Sequence, residues 1–317
     1  MEWMKTLELP VVASPMFIAS GPELVIAQCR AGIVGSFPAL NARPASLLDE
    51  WLVQIDAALS DGGQGQASVR PGPVAVNLIL HKSNTRLDED LAVCVRRRVP
   101  IVITSVGDPS DFVKEVHGYG GVVLHDVINV RHAEKAIQAG VDGLILVCAG
   151  AGGHAGTSSP FALVGEVRRL FDGLLLVAGA VSRGEDILAV QAMGADLAYM
   201  GTRFIATPQA NVAEGYRQAI VDSTAAGIVY TDHFSGIRAN YLRSSVRDAG
   251  YDPDHLPNEG RASADFNAAS ESGKKVWRDI WSAGQGVGNI HGVAPVQAVV
   301  AQLKQEYEAA LARLARR

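Results

Sequence analysis

Short apolar runs bounded by glycine or polar turns recur along the 317-residue chain: Val11 to Met16, Gly32 to Phe37, Val74 to Ile79, Ile101 to Val106 and Gly121 to Val127, then Val141 to Val147, Leu174 to Ala180 and Leu197 to Phe204. Their length and β-branched content are those of strands buried on both faces, as in a parallel sheet. Helix punctuation lies between them. Asp108 with Pro109 opens a segment ending near Gly118, Asn129 one ending at Gly140, and Ser159 with Pro160 another. Ser182 and Glu185 have capping-box spacing, with Gly194 at the stop, and Thr207 with Pro208 follows the eighth run.

Eight strands, each followed by a helix, are what a closed barrel needs, and an open doubly wound sheet seldom runs so regularly to eight. The pattern predicts an α/β chain with a TIM (β/α)8 barrel over residues 1–226. A C-terminal helical and loop appendage over 227–317 packs on it. Gln64 to Gly72 and His81 to Arg86 read as loops inside the barrel. In the appendage, Trp277 and Trp281 would share one face of a helix as packing anchors. A final helix from about Pro295 places Val296, Val299, Val300, Leu303, Tyr307, Ala310 and Leu311 at helical spacing, so it packs on the barrel or on a second subunit of a homodimer.

Composition narrows the function. Hydrophobic content of 48%, charged content of 19% and a net charge of -5 describe a compact globule with no electrostatic footprint for nucleic acid. No apolar run reaches membrane-spanning length and no secretory signal is visible, so a small-molecule ligand is expected. The three cysteines, Cys29, Cys94 and Cys148, lack CxxC spacing and suit a reducing cytoplasm as buried thiols. Absence of H-x-H and H-E-x-x-H spacing predicts no catalytic metal.

The stretch VDGLILVCAGAGGHAGTSSP, 141–160, carries the chemistry. A buried strand breaks into glycines around one histidine, His154, at what a barrel makes its active end. Imidazole there can titrate near neutral pH and act as a base. Strands seven and eight end in Ala178-Gly179-Ala180 and Met200-Gly201-Thr202, two turns whose amides can meet a phosphate where barrels typically hold one. Gly150, Gly152 and Ala155 also satisfy a dinucleotide-binding pattern, but Asp172 precedes its strand instead of ending it, which argues against a Rossmann domain. Gly284, Gly286 and Gly288 follow no clear strand and match that pattern less well.

The run AGAGGHAG, followed by VAGAVSRGEDILAVQAMGADLAYMGTRFIAT, resembles the nitronate monooxygenases, flavin barrels formerly called 2-nitropropane dioxygenases, and their relatives the FMN-dependent quinone and enoyl-acyl-carrier-protein reductases. The likeness extends from SPM at the first strand through VNL at the third to the GQGVG loop. It implies that Ser14, Pro15 and Met16 lie against FMN and that Asn77 sits near its ring. Gly152 contributes a backbone contact, Gly179, Ala180, Gly201 and Thr202 hold the phosphate, and His154 is the catalytic histidine. Several members carry a lysine where this chain has Asp126 after His125, so the residue at that flavin contact becomes a carboxylate and alters the local electrostatics.

The expected activity is oxidation of alkyl nitronates or nitroalkanes with O2 to nitrite and a carbonyl compound. Two alternatives stay open: an NAD(P)H-dependent quinone or enoyl reductase, and a flavin-free phosphate-binding lyase or isomerase. His125 is a second candidate base, Cys148 a candidate nucleophile and Ser158 a candidate substrate contact. His233 and His291 lie in loops.

Overall fold

A computed structural model describes residues 1–60, 69–256 and 279–316. The strands and helices alternate as β1 (Val11–Ala13), α1 (Pro22–Arg30), β2 (Gly35–Pro38), α2 (Ser46–Ser60), β3 (Val74–Ile79), α3 (Leu87–Arg96), β4 (Ile101–Ser105), α4 (Ser110–His117), β5 (Val122–Val127), α5 (Val130–Gln138) and β6 (Gly143–Val147). A two-residue strand, β7 (Gly153–His154), interrupts the alternation before α6 (Pro160–Arg168), β8 (Leu174–Ala178), α7 (Gly184–Ala192) and β9 (Leu197–Met200).

All strands but β7 in this series form one parallel eight-stranded sheet in the order β1-β9-β8-β6-β5-β4-β3-β2. The ends meet through Val34, whose carbonyl accepts from the Ala13 amide at 2.9 Å and whose amide donates to Val11 at 3.2 Å, closing the sheet into a TIM barrel. Alternation along each strand sorts side chains between two cores. Ile101, Ile103, Leu124, Ile145, Leu176 and Leu197 fill the barrel interior. Val102, Val123, Leu144, Leu146, Leu175 and Val177 face the helix ring. The runs read as continuously apolar because both faces of each strand are buried.

Local punctuation explains most boundaries. The Asn129 side chain accepts from the His132 amide at 2.9 Å and starts α5, while Gly140, at φ +85°, ends that segment in the left-handed region. Several expectations need correction. The cap of α7 is one residue later than Ser182 and Glu185 suggest: Arg183 donates its amide to Asp186, which also receives the Ser182 amide at 3.0 Å. The first strand stops at Ala13, since Pro15 lacks an amide donor and the following loop is pinned elsewhere. The eighth barrel strand stops at Met200, where Gly201 turns the chain into one helical turn, α8 (Thr202–Ile205). Thr207 and Pro208 open no helix; the next, α9, spans Glu214–Val221.

Beyond the barrel, β10 (Ile228–Thr231) and β11 (Ala239–Leu242) pair antiparallel, and β11 also pairs with β7. This small sheet takes in the segment that carries His154, and α10 (Arg243–Asp248) follows β11 and packs on it. Residues 64–68 of the Gln64–Gly72 loop and Trp277 lie outside the described residues. Trp281 belongs to no helix; it stacks on Tyr216 with ring centroids 5.1 Å apart. The last helix, α11 (Val296–Ala315), buries Val296, Val299, Val300, Leu303 and Ala310 against α1 and α7, and Tyr307 donates to Gln191 at 2.7 Å. Leu311 is 42% exposed and turns away. Among the described residues no helix is long and apolar enough to cross a membrane.

Candidate active site

At the C-terminal ends of the barrel strands one cavity gathers Ser14, Pro15 and Met16 after β1, Asn77 on β3 and Asp126 on β5. Gly152 and His154 after β6, Gly179 and Ala180 after β8, and Gly201 and Thr202 after β9 complete the set of residues singled out by sequence. His125, Cys148 and Ser158 are not in its lining. His125 is buried and its Nδ1 lies 2.8 Å from Thr104 Oγ1; burial depresses its pKa to about 4. Burial pushes the Cys148 thiol up to about 12, which removes the thiolate a nucleophile needs. His291 is exposed, and His233 is buried edge-on to Phe234 and Tyr251.

The loop after β1 is clipped in place by Asn41. Its side-chain amide donates to the carbonyls of Met16 (3.0 Å) and Ser20 (2.8 Å), and its oxygen accepts from the Ile18 amide at 2.9 Å. Ser14 holds the loop to the sheet through Met200 at 2.8 Å. Ser14, Pro15 and Met16 are therefore held at the cavity by backbone anchoring, with the Met16 side chain also packed against the core.

Three chain segments meet backbone to backbone along another wall. A β-carbon on Gly152 would stand 2.8 Å from the Gly284 nitrogen, one on Gly179 2.8 Å from the Ala149 oxygen, and one on Gly286 2.5 Å from the Ala180 oxygen. Gly179 has φ +146°, and Ala180 has φ +58°, a left-handed conformation that costs a residue with a side chain roughly 1–2 kcal/mol. The Gly284 amide donates to Thr202 Oγ1 at 2.9 Å, and Gln285 donates its amide to the Gly150 carbonyl, also at 2.9 Å. The loop dismissed on motif grounds, Gly284 to Gly288, is thus part of the wall. Its signal was the glycine spacing itself, which marks close approach between backbones and not a nucleotide fingerprint.

His154 sits at the cavity edge on β7, in register with Ala239 of β11. Its Nε2 lies 3.2 Å from Ser235 Oγ; Ser235 donates to the Ile237 carbonyl at 2.9 Å and accepts from Tyr241 at 3.3 Å. Asn240 donates to the Ala151 carbonyl at 2.6 Å and Tyr230 to that of Ala155 at 2.7 Å, so the histidine loop is fastened on both sides by the appendage. Burial lowers the His154 pKa to about 4, which leaves a neutral imidazole at neutral pH. Ser235, Asn240 and Tyr230 had no distinguishing signal in the sequence.

On the far side, Asn77 donates to Ser105 Oγ at 2.8 Å and Ser105 donates to Asp126 Oδ2 at 2.6 Å. Burial raises the Asp126 carboxyl to about 6. Among the described residues no lysine or arginine lines the cavity. Anion binding there falls to amides and hydroxyls, and the proton-transfer groups that the cavity offers are the His154 imidazole and the Asp126 carboxyl.

The nitronate monooxygenase family model matches residues 72–306. A nitronate monooxygenase of Paraburkholderia phytofirmans is 27% identical over 97% of this chain and 94% of its own length, and one of Neurospora crassa is 28% identical over 96% and 90%. Among solved structures, FabK from Thermotoga maritima superposes with a TM-score of 0.80 at 25% identity, covering 99% of this chain and 97% of that one. A nitroalkane oxidase from Streptomyces ansochromogenes does so at 0.78 and 24%, covering 99% and 100%; at that identity the likeness is one of fold.

Proposed function

The chain belongs to the nitronate monooxygenase family, and from that premise we propose that it oxidises alkyl nitronates, and nitroalkanes after deprotonation, to a carbonyl compound and nitrite with O2. The observation that carries this reading is His154: a neutral imidazole fixed at the edge of a cavity that no described lysine or arginine lines.

A flavin fits the residues present, and FMN is the form we assign. Gly152, Gly179 and Gly286 let neighbouring chain segments close on one another, so that this wall presents backbone to the cavity in place of bulky side chains, a surface suited to a flat ring. Gly179, Ala180, Gly201 and Thr202 would hold a single terminal phosphate, and Ser14 to Met16, Asn77 and Asp126 would meet the ring. When bound, the flavin supplies the electron and oxygen chemistry.

His154 takes the proton from the carbon beside the nitro group. The charge that develops on the nitronate stabilises the imidazolium formed in the same step, which offsets the low basicity imposed by burial. Ser235 holds the ring against rotation, and the strands β10 and β11 shield that side from water. A nitronate already lacks the proton, so His154 serves there in orientation alone.

Anaerobic mixing of the FMN-loaded protein with ethylnitronate, NADH and NADPH separately, following flavin absorbance, tests the assignment. Bleaching by nitronate with both nucleotides inert is the expected result. Rapid bleaching by a nucleotide would make the protein a reductase, a reading kept in view by the full-length superposition on FabK.

A further inference from the structure

We propose that Asp126 acts as a protonated hydrogen-bond donor to the flavin ring, so that the affinity for the cofactor depends on the protonation of this one carboxyl. The inference rests on the flavin assignment above.

The geometry is a directed chain. The Asn77 amide, which also donates to the Ile103 carbonyl at 3.2 Å, donates to Ser105, and Ser105 donates to Asp126 Oδ2. Each bond spends a donor in the direction of Asp126, so Oδ2 is an acceptor already in use. The other oxygen, Oδ1, is buried and without a partner, although the residue lines the cavity. An unpartnered buried carboxyl oxygen is costly as an anion and acceptable as an O–H that a ligand receives. The oxidised ring offers acceptors at its carbonyl oxygens and bare nitrogens.

Among the described residues no cation faces Asp126, and the Ser105 hydroxyl makes the one bond that favours its charge. From β9 comes the Tyr199 phenol, held neutral because burial raises its pKa well above 10. From β4 and β3 come only the neutral Ser105 and Asn77, and Val147 of β6 is apolar. His125, on the same strand, turns to Thr104, and His154 across the cavity is neutral above about pH 4. Ionised, Asp126 brings an uncompensated negative charge to the ring. Its free carboxyl titrates at about 6, within reach of ordinary cellular pH.

The test is equilibrium binding of riboflavin, which has no phosphate to titrate, and of FMN to the full-length chain between pH 5 and 8. Riboflavin affinity is expected to be constant at the acid end and to fall by up to roughly tenfold per pH unit once the free carboxyl ionises. Asp126→Asn, whose amide retains a donor without the titration, is expected to bind with a flat profile. Ser105→Ala removes a bond that favours the ionised carboxylate, so its decline should move to higher pH. A flat wild-type profile, or wild-type binding that tightens with pH while Asp126→Asn loses it, overturns the proposal. Failure of the wild type to bind either flavin at any pH overturns the flavin assignment as well.

Discussion

Nε2 of His154 lies 3.2 Å from Oγ of Ser235, a residue 81 positions later in the chain and outside the barrel strands. Ser235 spends its own proton on the Ile237 carbonyl, so the bond to His154 runs from the imidazole N–H to the hydroxyl oxygen. The histidine's orientation is therefore set by the appendage.

His154→Asn separates the two substrate classes. Turnover of neutral nitroalkane should fall by about 10²–10⁴, the usual worth of a general base, while turnover of the corresponding nitronate falls by less than about tenfold. Steady-state assays on nitroethane and ethylnitronate decide it; equal losses would remove the base role. Ser235→Ala should show the same pattern at smaller amplitude.

The pH dependence of nitroalkane turnover follows from the depressed His154 pKa. The imidazole must be neutral to accept a proton, and its pKa lies at about 4, so the His154 limb of kcat/KM should be flat down to about pH 5 and fall as pH drops through 4. Circular dichroism over the same range separates this from acid unfolding. A midpoint near 6.5 would mean that the ring is solvated in the working enzyme.

Two glycines make opposite predictions. Gly286→Ala forces a β-carbon to 2.5 Å from the Ala180 oxygen and should cost roughly 1–3 kcal/mol, with the melting temperature falling several degrees. Gly165, exposed in α6 with nothing within 4 Å of a built β-carbon, should gain up to about 1 kcal/mol as alanine from helix propensity. Calorimetry on both variants checks the pair, and retention of flavin by Gly286→Ala would show that the wall tolerates displacement.

Much of the fold was legible because burial on both faces leaves an unmistakable mark: runs such as Leu144 to Val147 and Leu174 to Val177 contain no polar residue. The glycines and His154 stood out for the same reason, as interruptions of apolar pattern at strand ends. What escaped depends on distance along the chain. Gly284 meets Gly152, and Asn240 meets Ala151, across more than eighty residues, and no local spacing encodes such pairings. The strands β10 and β11 are four residues each, and β10 is half-buried throughout, so no alternation distinguished it from loop. Asp126 was visible as an unusual residue, but its unpartnered oxygen follows from Ser105 and Asn77 on neighbouring strands.

The pairing of β7 with β11 also bears on synthesis. The eight-stranded barrel has all its strands once Met200 has emerged from the ribosome, yet the ladder that positions His154 needs Ala239 and Asn240, and the wall that receives Gly152 needs Gly284. The nascent chain thus holds every barrel strand before it holds the ladder and wall around His154, and the core residues Val296, Val299, Val300 and Leu303 of α11 emerge later still.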